Sequence, residues 1–313
     1  MKKTAISALS IVVSCVLIIT ALYFVLDPEK QELNDDVRAR SGGSFLRLSD
    51  GVTHYSLLGP ENGRVAVLLH GGTIPMFTWD EVAPMLVQKG FRVLMYDMFG
   101  RGYSDRPLVS YNRALYARQL LELLNGLNLG DSLDLVGYSF GGAVAVDFTA
   151  AHPGRVARLA LISPVVHHYP ITPALRPPVM RKAVLRLIGI PLMNKRASAN
   201  YSGTPLAGRH AAAFKEQMTF RGFQYSVLSL FRGDALVDHR DSYAAVGKQD
   251  LQVLLIWGAR DMEITKDKIG TARSLIPNAE YHDFPDAGHN IVFQKPRQVA
   301  ELLAAFFNSP PLK

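Results

Sequence analysis

A single cysteine in 313 residues, Cys15, leaves no partner for an intramolecular disulfide and no set of thiolates for a cysteine-based metal site. The nine histidines include no His-Glu-x-x-His or comparable metal-ligand spacing, so we expect no metal centre and no cofactor. Charged residues are only 19% of the chain, and there is no internal repeat or low-complexity tract, which excludes a disordered tail or a solenoid. What the chain does have is apolar mass. With 48% hydrophobic residues over this length it buries a large core, and one large domain with an insertion is the default organisation.

The first strong feature is N-terminal. Residues 5–26 carry no charge, and as a helix these 22 positions would span roughly 30 Å, the thickness of a bilayer core. A signal peptide would have an apolar region of about 7 to 15 residues and a small-residue cleavage site, which Ala21-Leu22-Tyr23 does not supply. The sequence therefore predicts a retained transmembrane anchor over residues 1–27 and a juxtamembrane segment over 28–44. Lys2 and Lys3 precede the span, while Asp27, Glu29, Glu32, Asp35 and Asp36 follow it. The positive-inside tendency then places the N-terminus in the cytoplasm and the globular part on the periplasmic or extracytoplasmic side.

From residue 45 onward the pattern is globular. Residues 45–48 and 54–58, separated by Ser49-Asp50-Gly51, predict a hairpin. The apolar runs 65–69, 92–96 and 133–136 lack polar alternation, as strands buried on both faces do. Helical patterns at 79–89 and 111–125 lie between them, with Gly90 and Gly126 as expected stops. A helix to residue 151 and a strand at 158–162 continue the alternation. It then lapses over a proline-rich stretch to about residue 240, and resumes with strands at 253–257 and 279–284 and a helix at 296–307. Strand alternating with helix predicts an open, mostly parallel α/β sheet, and the lapse predicts an inserted helical cap.

Residues 137–141 read Gly-Tyr-Ser-Phe-Gly, which places Ser139 on a sharp strand-to-helix turn. A serine hydroxyl is a weak nucleophile at neutral pH, so a site that uses one must expose the oxygen, supply a base and stabilise the oxyanion. Gly137 and Gly141 permit the tight bend, and the backbone N–H of Phe140 at the helix start points toward the developing charge. Asp261 and His289 each follow a predicted strand, at the sheet edge where open α/β folds assemble their sites. The three roles are nucleophile for Ser139, base for His289 and orienting acid for Asp261. Asp283 and Asp286 are rival acids, but the position after Gly258 favours Asp261. His167 and His168 open the predicted cap, and His282 reads as a packed or surface residue.

These motifs in this order make the chain resemble the α/β-hydrolase superfamily over residues 45–308. They are the serine turn, His70-Gly71-Gly72 after the third strand, Asp97-Met98-Phe99-Gly100-Arg101-Gly102-Tyr103-Ser104 after the fourth, and the late Asp261 and His289. The resemblance implies a mostly parallel sheet flanked by helices, with a core at 45–164 and 241–313 and a helical cap at 165–240, here joined to the N-terminal transmembrane helix. It also implies a second oxyanion donor after His70, with Gly72 the best match and Thr73 next. His70 would brace that loop, and Asp97 would shape a turn. Serine at the elbow argues against the haloalkane dehalogenase and epoxide hydrolase branches, which are similar in fold but use an aspartate, and ester cleavage becomes the leading chemistry.

Residues 165–240 hold eleven Lys or Arg against three acids, an excess larger than the whole chain's net +7. In 178–188, Val179, Met180, Ala183, Val184, Leu187 and Ile188 recur at helical spacing, with Arg181, Lys182 and Arg186 opposite, the pattern of an interfacial helix. No stacking or groove-reading motif accompanies the charge, so nucleic acid is not expected as a partner. The chain resembles monoacylglycerol lipases, lysophospholipases and membrane-anchored bacterial phospholipases A, which implies a lipid-like ester substrate, a bilayer partner and, in some relatives, a homodimer. The alternatives are a small-molecule hydrolase or a non-catalytic binding protein. The former would resemble a carbon–carbon hydrolase of ring-cleavage products or a prolyl aminopeptidase. The peptidases carry His-Gly-Gly-Pro-Gly where this chain has His70-Gly71-Gly72-Thr73-Ile74.

Overall fold

The computed structural model describes residues 2–168, 173–175, 177, 180–201, 203–232 and 234–310, with all their side chains except those of residues 2–9, 12, 174 and 234. The described strands form one eight-stranded sheet in the order β1-β2-β4-β3-β5-β6-β7-β8. They are β1 (Ser44–Leu48), β2 (Gly51–Leu58), β3 (Val65–Leu69), β4 (Arg92–Tyr96), β5 (Leu133–Tyr138), β6 (Val156–Ile162), β7 (Gln252–Gly258) and β8 (Glu280–Phe284). β1 and β2 form the hairpin, β2 runs antiparallel to β4, and the other neighbours are parallel.

The continuous apolar runs are explained by helices on both faces. Helices α1 (Lys2–Val25) and α2 (Asp35–Ala39) precede the sheet, α3 (Val82–Gln88) follows β3, α4 (Arg113–Gly126) follows β4 and α5 (Phe140–Ala151) follows β5. In β3, Val67 and Leu69 pack toward α4 and α5, while Ala66 and Leu68 face α3. Each fully buried Leu or Phe of these layers contributes roughly 1.5–3 kcal/mol of apolar burial. Asn112 caps α4 by accepting from the Leu115 N–H at 2.9 Å. The expected stop at Gly90 has φ +88°, the left-handed conformation that ends a helix. α4 likewise ends at Gly126, whose lack of a side chain also makes room for Leu46, with its Cδ2 2.6 Å from where a Cβ would stand.

Between β6 and β7 the described chain is helical. It contains α6 (Arg181–Val184), a π turn (Leu185–Gly189), α7 (Ile190–Tyr201), α8 (Ala207–Gln217), α9 (Phe223–Arg232) and α10 (Arg240–Val246), with short 3-10 turns at Pro173–Leu175 and Asp234–Leu236. Leu185, Ile190, Ala197, Tyr201, Phe214, Phe223, Val227 and Leu228 form a separate core that closes on Ile74 and Phe293 from the loops of the sheet. The last helices are α11 (Lys266–Leu275), α12 (Ile291–Gln294) and α13 (Pro296–Phe307).

One expectation fails here. The single-pass anchor at 1–27, with a cytoplasmic N-terminus and an external globular part, is overturned: among the described residues no helix is long and apolar enough to cross a membrane. The last turn of α1 is instead fastened to the folded body. Arg186 donates to the Tyr23 carbonyl at 2.8 Å, stacks over the Tyr23 ring and pairs with Asp27 at 3.1 Å. The segment expected as an interfacial helix departs from its expected pattern at Arg186. Pro178 and Val179 lie outside the described residues; Arg186, expected on a solvated basic face, is buried, and Met180 and Ile188 of the apolar face are 59% and 62% exposed. The π turn widens the helix by one residue, so a 3.6-residue reading loses register at that point.

Candidate active site

β5 runs straight into α5 at Ser139, whose φ of 54° and ψ of −118° are rare for a residue with a side chain. Such strain costs of order 1–3 kcal/mol and persists only where the surroundings enforce it. Here the Ser139 N–H donates to Ile162 at 2.9 Å, and its carbonyl accepts from Gly142 and Val165, each at 3.0 Å. The flanking glycines serve close approach. A Cβ on Gly137 would lie 2.4 Å from the Gly141 carbonyl oxygen, and one on Gly141 would lie 2.4 Å from that of Leu69.

The structure brings Ser139, His289 and Asp261 into one line. His289 Nε2 is 3.0 Å from Ser139 Oγ, and Nδ1 is 2.8 Å from Asp261 Oδ2. Asp261 is buried in the loop after β7, and its Oδ1 accepts the N–H groups of Glu263 and Ile264 at 2.8 Å each, which fixes the carboxylate. With Asp261 accepting from Nδ1–H, Nε2 is free to accept the serine proton. Burial works against charging His289, but the hydrogen bond and charge of Asp261, with Glu263 adding to them, outweigh it and raise its pKa above the ordinary value. The rival acids lie elsewhere: Asp286 pairs with Lys295 at 2.5 Å and Asp283 is exposed; His282 is a surface residue that bonds Glu280 at 2.6 Å.

Ser139 and His289 line a cavity of about 260 Å³ together with Gly71, Gly72, Thr73 and Phe140. Gly72 sits against Phe140, whose Cβ would be 3.4 Å from a Cβ at Gly72, so the two expected oxyanion donors are neighbours. The other walls are largely apolar and come from the helices between β6 and β7, including Leu185, Leu192, Met193, Phe214 and Val227. His167 and His168 are not among the lining residues.

The loops that carry these groups are braced from below. His70 accepts from the Met98 N–H at 2.9 Å through Nε2 and so donates through Nδ1 to the Gly71 carbonyl at 2.6 Å. Burial lowers its pKa to about 4, so it stays neutral and structural. Asp97 is also buried: it bonds His54 at 2.7 Å and accepts from the backbone of Met76 at 2.8 Å and Tyr103 at 3.0 Å. Motif and spacing assign no role to two further groups. Arg101, fully buried, donates to the Gly72 carbonyl at 2.6 Å and to Ser226 of α9 at 2.8 Å, tying the loop after β3 to the overlying helices. Glu263 lines the cavity beside His289. Arg101 sits within the motif after the fourth strand, and Glu263 lies two residues past Asp261, but neither pattern distinguishes a functional side chain from a solvated one.

Comparison with known proteins agrees with this geometry. Residues 65–296 match the family model for the alpha/beta hydrolase fold. The 2-hydroxymuconate semialdehyde hydrolase of Pseudomonas sp. (strain CF600) is 30% identical over 253 residues, covering 77% of this chain and 85% of that one. Among solved structures, an esterase from Exiguobacterium antarcticum superposes with a TM-score of 0.70 at 21% identity, covering 86% of this chain and all of the other. An enol-lactonase from Burkholderia xenovorans does so with a TM-score of 0.70 at 20% identity, covering 85% of this chain and 100% of that chain. The chain belongs to the alpha/beta hydrolase fold family, and it is a hydrolase. The 2-hydroxymuconate semialdehyde hydrolases among these relatives move the reading away from the lipase and phospholipase branch.

Proposed function

We propose that the chain hydrolyses a small, largely apolar carbonyl compound by serine catalysis, with a carboxylic ester as the bond cleaved. The observation that carries this reading is the continuous line from Asp261 through His289 to Ser139, ending in a mostly apolar cavity of about 260 Å³. Ser139 Oγ attacks the carbonyl carbon while His289 Nε2 takes its proton and Asp261 holds the ring and stabilises its cation. The oxyanion is met by the N–H groups of Phe140 and of Gly72 or Thr73. Collapse expels the alcohol with the proton from His289, and water then releases the acid from Ser139 by the same steps. The cavity volume lies just under the usual range of about 300–1,000 Å³ for small-molecule pockets, which favours a compact substrate over a glycerolipid.

A second reading is cleavage of a carbon–carbon bond in a ring-cleavage product, favoured by the identity with the 2-hydroxymuconate semialdehyde hydrolases. The two are separated by a turnover panel of p-nitrophenyl esters of increasing acyl length and a ring-cleavage dienoate. Ester cleavage with a preference for short chains is the expected result. Turnover of the dienoate alone would move the assignment to the second reading, and turnover of neither would contradict both.

A further inference from the structure

The mechanism uses one carboxylate, yet His289 has two. Asp261 Oδ2 faces Nδ1 at 2.8 Å, and Glu263 Oε2 stands 3.6 Å from Nε2, the nitrogen that also meets Ser139 Oγ. Glu263 is placed by its own backbone: its N–H donates to Asp261 Oδ1 at 2.8 Å, and its carbonyl accepts from Lys268 Nζ at 2.7 Å. Lys268 thus engages the peptide oxygen. Among the described residues the only ion-pair partner of the Glu263 carboxylate is His289. The side chain is 49% exposed and lines the cavity that holds Ser139, Gly72 and Phe140, so its charge lies in the space a substrate occupies.

We propose that Glu263 is a specificity-determining residue that acts as a charge filter, disfavouring substrates with a carboxylate near the scissile carbonyl and favouring neutral or cationic ones. This rests on the serine-hydrolase reading above and narrows its substrate class. A carboxylate bound beside His289 would meet two like charges, Asp261 and Glu263, within the reach of one ring. The other groups facing this corner are Tyr138, whose ring lies tilted with its centroid 5.5 Å from that of His289, and Lys268. The cavity also has a cationic side, because Arg196 lines it from α7. A negative group remote from the reacting bond is therefore accommodated where one beside it is not. A single unit charge at this distance, partly screened by solvent, corresponds to roughly a tenfold effect.

The test compares kcat/KM for two esters of matched length, neutral p-nitrophenyl butyrate and anionic mono-p-nitrophenyl succinate, in the wild type and in Glu263→Gln. The expected result is that the wild type prefers the neutral ester and that Glu263→Gln reduces this preference by about tenfold. The acidic limb of the pH profile should also move to lower pH, because the lost carboxylate helps hold the proton on His289. A neutral-to-anionic ratio that stays within about twofold between the two proteins overturns the filter and leaves the hydrolase reading standing. Wild-type protein that cleaves neither ester, and in which a fluorophosphonate does not label Ser139, overturns both.

Discussion

The edge of the sheet and the helices that roof it are held together by different means. At the edge, backbone meets backbone: a Cβ on Gly141 would stand 2.4 Å from the Leu69 carbonyl oxygen and 2.5 Å from that of His70. In the roof, side chain meets side chain, with Leu185, Tyr201, Phe214 and Phe223 filling a core of their own. A backbone contact tolerates one residue type, whereas an apolar core tolerates many of similar volume. The chemistry is thus set where substitution is least tolerated, and the apolar walls that enclose the substrate where it is most tolerated. Arg101 joins the two, with one nitrogen on the Gly72 carbonyl and another on Ser226 of α9.

The sharpest way to break this contrast is to alter the edge without altering its shape. Ser139→Ala should lower kcat by about 10⁴–10⁶-fold while the far-ultraviolet circular dichroism is unchanged. Retention of more than a hundredth of wild-type activity would remove Ser139 from the mechanism.

Asp261→Asn should cost about 10³–10⁴ in kcat, because an amide no longer favours the His289 tautomer whose Nε2 accepts the serine proton. The sign of the accompanying pH shift is fixed. His289 must be neutral to act as the base, and its pKa is raised in the folded protein, so kcat/KM rises with pH through a value above the ordinary 6.5. Removing the Asp261 charge moves that limb to lower pH. A limb that stays in place would mean that Asp261 is not the source of the raised pKa.

Stability sharpens the same comparison with smaller effects. Gly141→Ala should lose about 3 kcal/mol or more in urea unfolding, since the atom it meets is backbone and cannot swing away. Gly208→Ala in α8, where nothing lies within 4 Å of the added Cβ, should gain about 0.5–1 kcal/mol. Equal effects at the two sites would erase the distinction between edge and roof. The smallest change is expected from Met193→Ala, which enlarges the cavity wall on α7 and should shift ester preference toward longer acyl chains by a few-fold, with little loss of kcat on the best substrate.

This difference also governs what could be read from the chain. Gly137, Ser139 and Gly141 were legible because close approach demands glycine at fixed spacing around the turn, and Asp261 and His289 because each follows a strand at the sheet edge. Glu263 was not legible, since one glutamate in a loop has no periodicity to betray it. The stop at Gly126 is legible too, but its second role, admitting Leu46, is not, since composition does not show which side chain lies against a glycine. Arg186 was assigned to a solvated face because nothing local announces a π turn, or a partner such as Tyr23 that lies 163 residues away. Hydropathy and flanking charge in the N-terminal stretch are silent about the contacts that fasten Tyr23 to the π turn and Asp27 to α9.

The most direct test of the central claim is to treat the protein with a neutral fluorophosphonate and locate the adduct by peptide mass spectrometry. A single stoichiometric adduct on Ser139 is expected, formed faster as pH rises through the His289 titration and absent from Ser139→Ala. An unmodified Ser139, or labelling that persists undiminished in Ser139→Ala, would contradict it.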